Sequence, residues 1–169
     1  RVNLLSVLIL CCKKAKNSVF FDILGKALAK AIITHPHNLD PSGTMVTYVP
    51  RHPGEYKVDM FTGERYNQAE LLAQVVAREL GLNPPIEAVC VRAPMGGRSQ
   101  RKLSRCERYK SAVQAYDLIG DAEDLIRGRT VILVDDVRTS GATAWSISRL
   151  LTAAGAEKVY IAVAGRSVL

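Results

Sequence analysis

The sequence has 169 residues, 48% of them hydrophobic and 23% charged. This is globular composition; it excludes a collagen, a low-complexity chain or a disordered one, and a chain of this length buries about two-thirds of its unfolded surface without a disulfide or metal staple. The formal net charge of +7 calls for anionic partners, and no apolar run approaches the roughly 20 residues of a membrane-spanning helix.

Leu4, Leu5, Leu8 and Cys12 recur at helical spacing. Arg1 before this apolar stretch imitates a signal peptide, but no small-residue cleavage site follows and Lys13, Lys14 and Lys16 come next. The segment therefore reads as mature, cytoplasmic protein, and the missing initiator methionine as processing or truncation. Phe20, Ile23, Leu24, Ala27, Leu28, Ala31 and Ile32 predict a second helix, capped by Asn17 or Ser18 and ended by Pro36. Residues 1–40 are thus expected to form two helices across a sheet.

Residues 45–49 predict a strand stopped by Pro50, and 51–65 a loop. Residues 69–80 predict a helix closed by Gly81, and 88–91 a strand. Residues 130–134 are apolar and β-branched, as in a parallel strand covered on both faces. Residues 141–154 predict a helix ended by Gly155, with Trp145 in the core, and 159–164 a last strand. Strands alternating with helices predict an α/β fold, a central mainly parallel sheet flanked by helices, in one domain over 1–169.

Cys11, Cys12, Cys90 and Cys106 contain no C-x-x-C pair, so neither a zinc ribbon nor a redox motif is expected. His35, His37 and His52 have no metal spacing, and no protein ligand set for a metal is predicted. Charge is concentrated instead. Between residues 92 and 110 stand Arg92, Arg98, Arg101, Lys102, Arg105, Arg108 and Lys110 against Glu107 alone. Such a segment suits phosphate, pyrophosphate or nucleic acid. Single-strand binders add aromatic platforms; only Tyr109 lies within it, which ranks single-stranded DNA below pyrophosphate.

The most informative segment is 131–143. An apolar strand ends in Asp135 and Asp136, at the edge where open α/β sheets bind ligands. A Thr139-Ser140-Gly141 turn then enters a helix. Helix N-termini bind phosphate through free N–H groups and the helix dipole, and Thr139, Ser140 and Thr143 add hydroxyls. Two carboxylates beside a phosphate cradle suit a sugar phosphate. Neither a P-loop nor a G-x-G-x-x-G fingerprint is present.

This segment resembles the thirteen-residue motif of type I phosphoribosyltransferases that binds 5-phosphoribosyl pyrophosphate (PRPP). The run from Gly63 to Ala73, with Asn67-Gln68, the prolines Pro50 and Pro53, and the pattern Ser99-Gln100, Leu103-Ser104, Arg105 and Arg108 are similar to the competence protein F family. The resemblance covers about residues 4 to 165. It implies that Asp135 and Asp136 contact the ribose hydroxyls and that Thr139, Ser140, Gly141, Ala142 and Thr143 hold the 5′-phosphate. It further implies a mobile basic hood over 92–110, in which Arg98, Arg101 and Lys102 close on pyrophosphate, with Arg51 as a further pyrophosphate contact. Mg²⁺ enters through PRPP. The implied activity, a glycosyltransferase step of nucleotide metabolism, transfers the phosphoribosyl group to an unidentified acceptor and releases pyrophosphate. Thr139 stands where some purine enzymes carry a carboxylate base, so that proton transfer is not expected. The alternatives left open are a non-catalytic PRPP or nucleotide binder and a DNA-uptake accessory protein binding single-stranded DNA. A homodimer also stays open.

Overall fold

The computed structural model describes residues 9, 11–12, 16, 18–34, 39–92, 115–138 and 140–166. Ile9, Cys11 and Cys12 are helical; Leu4, Leu5, Leu8, Lys13 and Lys14 lie outside the described residues. The elements that follow are α1 (Ser18–Thr34), β1 (Thr44–Tyr48), a 3-10 turn (Pro53–Glu55), β2 (Lys57–Val58), β3 (Arg65–Tyr66), α2 (Gln68–Glu79), β4 (Val89–Val91), β5 (Tyr116–Leu118), α3 (Ala122–Ile126), β6 (Thr130–Arg138), α4 (Ala142–Ala153) and β7 (Lys158–Arg166).

A parallel sheet of order β1-β6-β7 forms the centre. Val134 of β6 stands level with Tyr48 on one side and Ala162 on the other. Val131, Ile132, Leu133 and Val134 are completely buried, because both faces of the strand are covered. α2 packs on β1 and β6, α1 on α2 and β7, and α4 on β6 and β7. The α/β expectation, a parallel central sheet flanked by helices, holds. Among the described residues no helix is long and apolar enough to cross a membrane.

Local sequence explains the elements that matter for the site. Asn67 caps α2: its Oδ1 accepts from the Ala69 N–H at 3.1 Å, and its Nδ2 donates to the Val49 carbonyl at 3.0 Å. The cap thus ties the start of α2 to the end of β1. Ala69, Leu72, Ala73 and Val76 then bury one face of the helix. α1 lies so close to α2 that a Cβ on Gly25 would run into the Val75 side chain. The Tyr66 hydroxyl donates to the Cys12 carbonyl at 2.8 Å and so ties the helical N-terminal residues to β3.

Four expectations are corrected. β6 does not stop at Val134 but continues to Arg138, so the two carboxylates sit on the strand. The strand expected at 88–91 belongs to a separate antiparallel ribbon with β5, pairing Val91 with Tyr116, and the loop over 51–65 contains the small β2–β3 hairpin. Trp145 is not in the core. α4 buries Ala144, Ile147 and Leu151, whereas Trp145 is 38% exposed, with the Arg149 guanidinium 5.1 Å above its ring. The phase of the helix, not the size of the side chain, decides its face.

Candidate functional site

The end of β1, the end of β6 and the start of α4 converge. The Val49 N–H donates to the Val134 carbonyl at 2.9 Å, the last rung between the two strands. Beyond it the chains part and leave a cavity of about 190 Å³, walled by Arg51, Glu55, Tyr116, Asp135, Asp136 and Thr143 among others. A smaller space of about 30 Å³ shares Asp135 and Thr143 and is bounded by Ser140, Gly141 and Ala142. A strand end beside a helix N-terminus is where open parallel sheets bind ligands.

The carboxylates are held differently. Asp136 Oδ2 accepts from Arg51 Nη2 at 3.2 Å, and the two side chains are only 14% and 20% exposed. Asp136 Oδ1 accepts from the Val137 N–H at 2.8 Å. Asp135 Oδ1 accepts from the Asp136 N–H at 2.8 Å. Burial, and then the adjoining Asp136 charge, push the Asp135 carboxyl up to about 7. One of the pair is therefore paired with a cation and the other retains a proton far above the ordinary carboxylate range.

That asymmetry has a measurable consequence. In the folded protein Asp135 keeps a proton that the unfolded chain gives up near pH 4. Stability should then fall as pH rises from about 4 toward 7 and level off above. Asp135→Asn, which keeps the Oδ1 acceptor, should remove this component. Urea unfolding across that window should show the variant gaining on the wild type by at least about 1.4 kcal/mol; parallel profiles would refute the assignment.

On the helix side, Gly141 precedes α4 with φ 79, a left-handed conformation that a side chain makes costly. Ser140 Oγ accepts from the Ala142 N–H at 3.3 Å. The first-turn N–H groups of α4 and its positive dipole end thus border the smaller space. Across the cavity, the Tyr116 hydroxyl is hydrogen-bonded to the Thr143 side chain. Burial raises the phenol, the charges of Asp135 and Glu55 add to this, and the Thr143 bond opposes it.

Of the residues picked from sequence, Asp135, Asp136, Ser140, Gly141, Ala142, Thr143 and Arg51 meet at these two spaces. Arg51 reaches Gln68 Oε1 at 2.7 Å as well as Asp136. Thr139, Arg98, Arg101 and Lys102 lie outside the described residues, as does 93–114 of the basic segment. Sequence reading missed Tyr116 and Glu55. Neither stands in a motif; Glu55 lies in the same loop as Arg51, and Tyr116 reaches the cavity from the distant strand β5. A larger cavity of about 640 Å³ between α1 and α2 is lined mainly by apolar side chains, and its Asp22 and Arg78 pair with each other; it lacks the polar convergence seen at β6.

A family model described as phosphoribosyl transferase domain matches residues 67–166, from α2 to the end of β7. Competence protein F of Haemophilus influenzae is 35% identical over 96 residues, which make up 57% of this chain. They span 41% of that relative's length. Among solved structures, the allosteric regulatory enzyme of purine biosynthesis is similar with a TM-score of 0.50 at 20% identity, over 85% of this chain and 25% of that one. A hypoxanthine phosphoribosyltransferase from Staphylococcus aureus also gives 0.50, at 12% identity, over 90% and 76%. These two likenesses concern the fold.

Proposed function

We propose, for a chain that belongs to the phosphoribosyl transferase domain family, that it binds PRPP with Mg²⁺ and transfers the phosphoribosyl group to an acceptor, releasing pyrophosphate. The observation that carries this reading is the meeting of Asp135 and Asp136 with the Gly141 turn at adjoining spaces. The carboxylates accept hydrogen bonds from the ribose hydroxyls. Thr139 to Thr143 and the N-terminus of α4 hold the 5′-phosphate. The role of pyrophosphate contacts is assigned to Arg51 and, from the basic segment of the sequence, to Arg98, Arg101 and Lys102.

In the reaction the bond from ribose C1 to the pyrophosphate oxygen breaks, the oxygen keeps the electron pair, and the acceptor's nucleophile bonds to C1. The protein's share is orientation and electrostatic stabilisation of a cationic sugar. Among the described residues no cluster of His, Cys, Asp or Glu could hold a metal by itself. Oxygen donors beside a polyphosphate nevertheless suit Mg²⁺, which keeps its waters and binds mostly through substrate phosphates. When bound, Mg²⁺ neutralises the leaving oxygens.

Thermal unfolding tests the reading. PRPP with Mg²⁺ at a hundredfold excess over Kd should raise the melting temperature by about 5 °C or more. The shift should shrink without Mg²⁺. Replacing Arg98, Arg101 and Lys102 with glutamine should reduce it, while ribose-5-phosphate binding persists. The second reading, a single-strand DNA module, is favoured by the cations between 92 and 110. It predicts no shift with PRPP and DNA affinity that falls steeply with salt. Pyrophosphate release across a panel of bases and amines then identifies the acceptor.

A further inference from the structure

Gln68 is completely buried, one of the largest side chains in the structure to be so. Its amide oxygen accepts from Arg51 Nη2 at 2.7 Å. Its amide nitrogen has no acceptor among the described residues. A buried amide with donors unused is costly where an apolar side chain of similar size would not be. Core packing alone therefore does not account for a glutamine here.

What the amide supplies is a fixed acceptor beneath Arg51. The Asn67 cap ties the start of α2 to β1 and so sets where the next residue stands. Arg51 Nη2 carries two hydrogens and reaches two acceptors, the Gln68 amide from α2 and the Asp136 carboxylate from β6. Two acceptors on one nitrogen fix the plane of the guanidinium. Without the amide, Arg51 would have one acceptor at 3.2 Å and freedom to swing toward the cavity that it lines.

We propose that Gln68 is a positioning residue for the carboxylate pair: it orients Arg51, and Arg51 in turn holds Asp136 in place for the ligand. This rests on the reading of Asp135 and Asp136 as the ribose site. Gln68 itself touches no ligand.

The test uses wild type, Gln68→Leu, Gln68→Glu, Arg51→Ala and the double variant Arg51→Ala/Gln68→Leu, with Gln68→Met as a second apolar replacement should leucine fail to fold. The ligand-free readout is the ¹⁵N spectrum of the Arg51 side chain. A guanidinium held by two acceptors rotates slowly and gives separate Nη signals; Gln68→Leu should merge them, and Gln68→Glu, which keeps an acceptor, should preserve them. The ligand readout is PRPP affinity with Mg²⁺. Gln68→Leu should weaken it about tenfold, Gln68→Glu should restore it to within about threefold, and in the Arg51→Ala background Gln68→Leu should add nothing. Unchanged Arg51 signals in Gln68→Leu, or equal losses with and without Arg51, would overturn the proposal. If wild type binds no PRPP, the ribose-site reading fails, and the Arg51 spectrum still decides whether Gln68 orients the guanidinium.

Discussion

The Asp135→Asn/Asp136→Asn double variant should lose at least about tenfold in PRPP affinity. A hydrogen bond to a charged group contributes about 1.5–3 kcal/mol and one to a neutral group about 0.5–1.5, and about 1.4 kcal/mol is a factor of ten in binding. The single variants should be unequal. Asp136 pairs with Arg51, so Asp136→Asn removes a ligand acceptor and also leaves a part-buried guanidinium facing only neutral partners. It should cost about 1–3 kcal/mol of stability. Asp135 carries its proton to about pH 7, so its amide replacement should be the milder of the two. Isothermal titration with PRPP and Mg²⁺, alongside urea unfolding of each variant, separates the effects. Wild-type affinity in a folded double variant would remove the carboxylates from the ribose site.

Gly141→Val should abolish binding of PRPP and of ribose-5-phosphate together. Gly141 has φ 79, where an L side chain costs about 1–2 kcal/mol and a β-branched one more. Its backbone also borders the smaller space with Ser140 and Ala142, where the phosphate would approach the N-terminus of α4. Valine thus strains the turn and fills the approach. Gly141→Ala should show the strain with less of the obstruction, and so retain part of the affinity. Loss of PRPP alone, with ribose-5-phosphate bound normally, would place the 5′-phosphate elsewhere.

Much of the scaffold was legible because it obeys simple periodicities. The apolar run at 130–134, the helix after it and the last strand announce themselves, since a buried parallel strand and its crossover helix leave little freedom in composition. Asn67 and Gly81 bracket α2 much as capping rules require. The misses share a cause, which is dependence on distant partners. Tyr116-Asp117-Leu118 is a three-residue strand that exists by pairing with Val89–Val91, and no local pattern marks it. The continuation of β6 through Asp135 and Asp136 is hidden because sequence reading stops a strand at its last apolar residue. Here β7 goes on pairing, Asp135 with Val163 and Val137 with Gly165. Asn67-Gln68 stood out in the sequence as part of a motif, but only the fold puts Arg51 beside Gln68. Trp145 could have been placed, since Ala144, Ile147 and Leu151 already define the buried phase.

The β4–β5 ribbon has a consequence for the protein's capacity to change. Residues 92–115 leave and re-enter through two short antiparallel strands that are not part of the parallel sheet. The Arg92 N–H closes the ribbon on the Ala115 carbonyl at 2.8 Å. The ribbon is tied to the rest of the fold on two sides, through the Thr47–Ile86 bridge to β1 and through the packing of β5 on α4. A change in the pairing of β4 with β5 would therefore move Tyr116, and with it one wall of the cavity that holds Asp135 and Asp136. The ribbon thus acts as a lever between the segment entering at Arg92 and the cavity wall, so substitutions that loosen the Val91–Tyr116 pairing should be felt at Thr143 as well as at the ribbon itself.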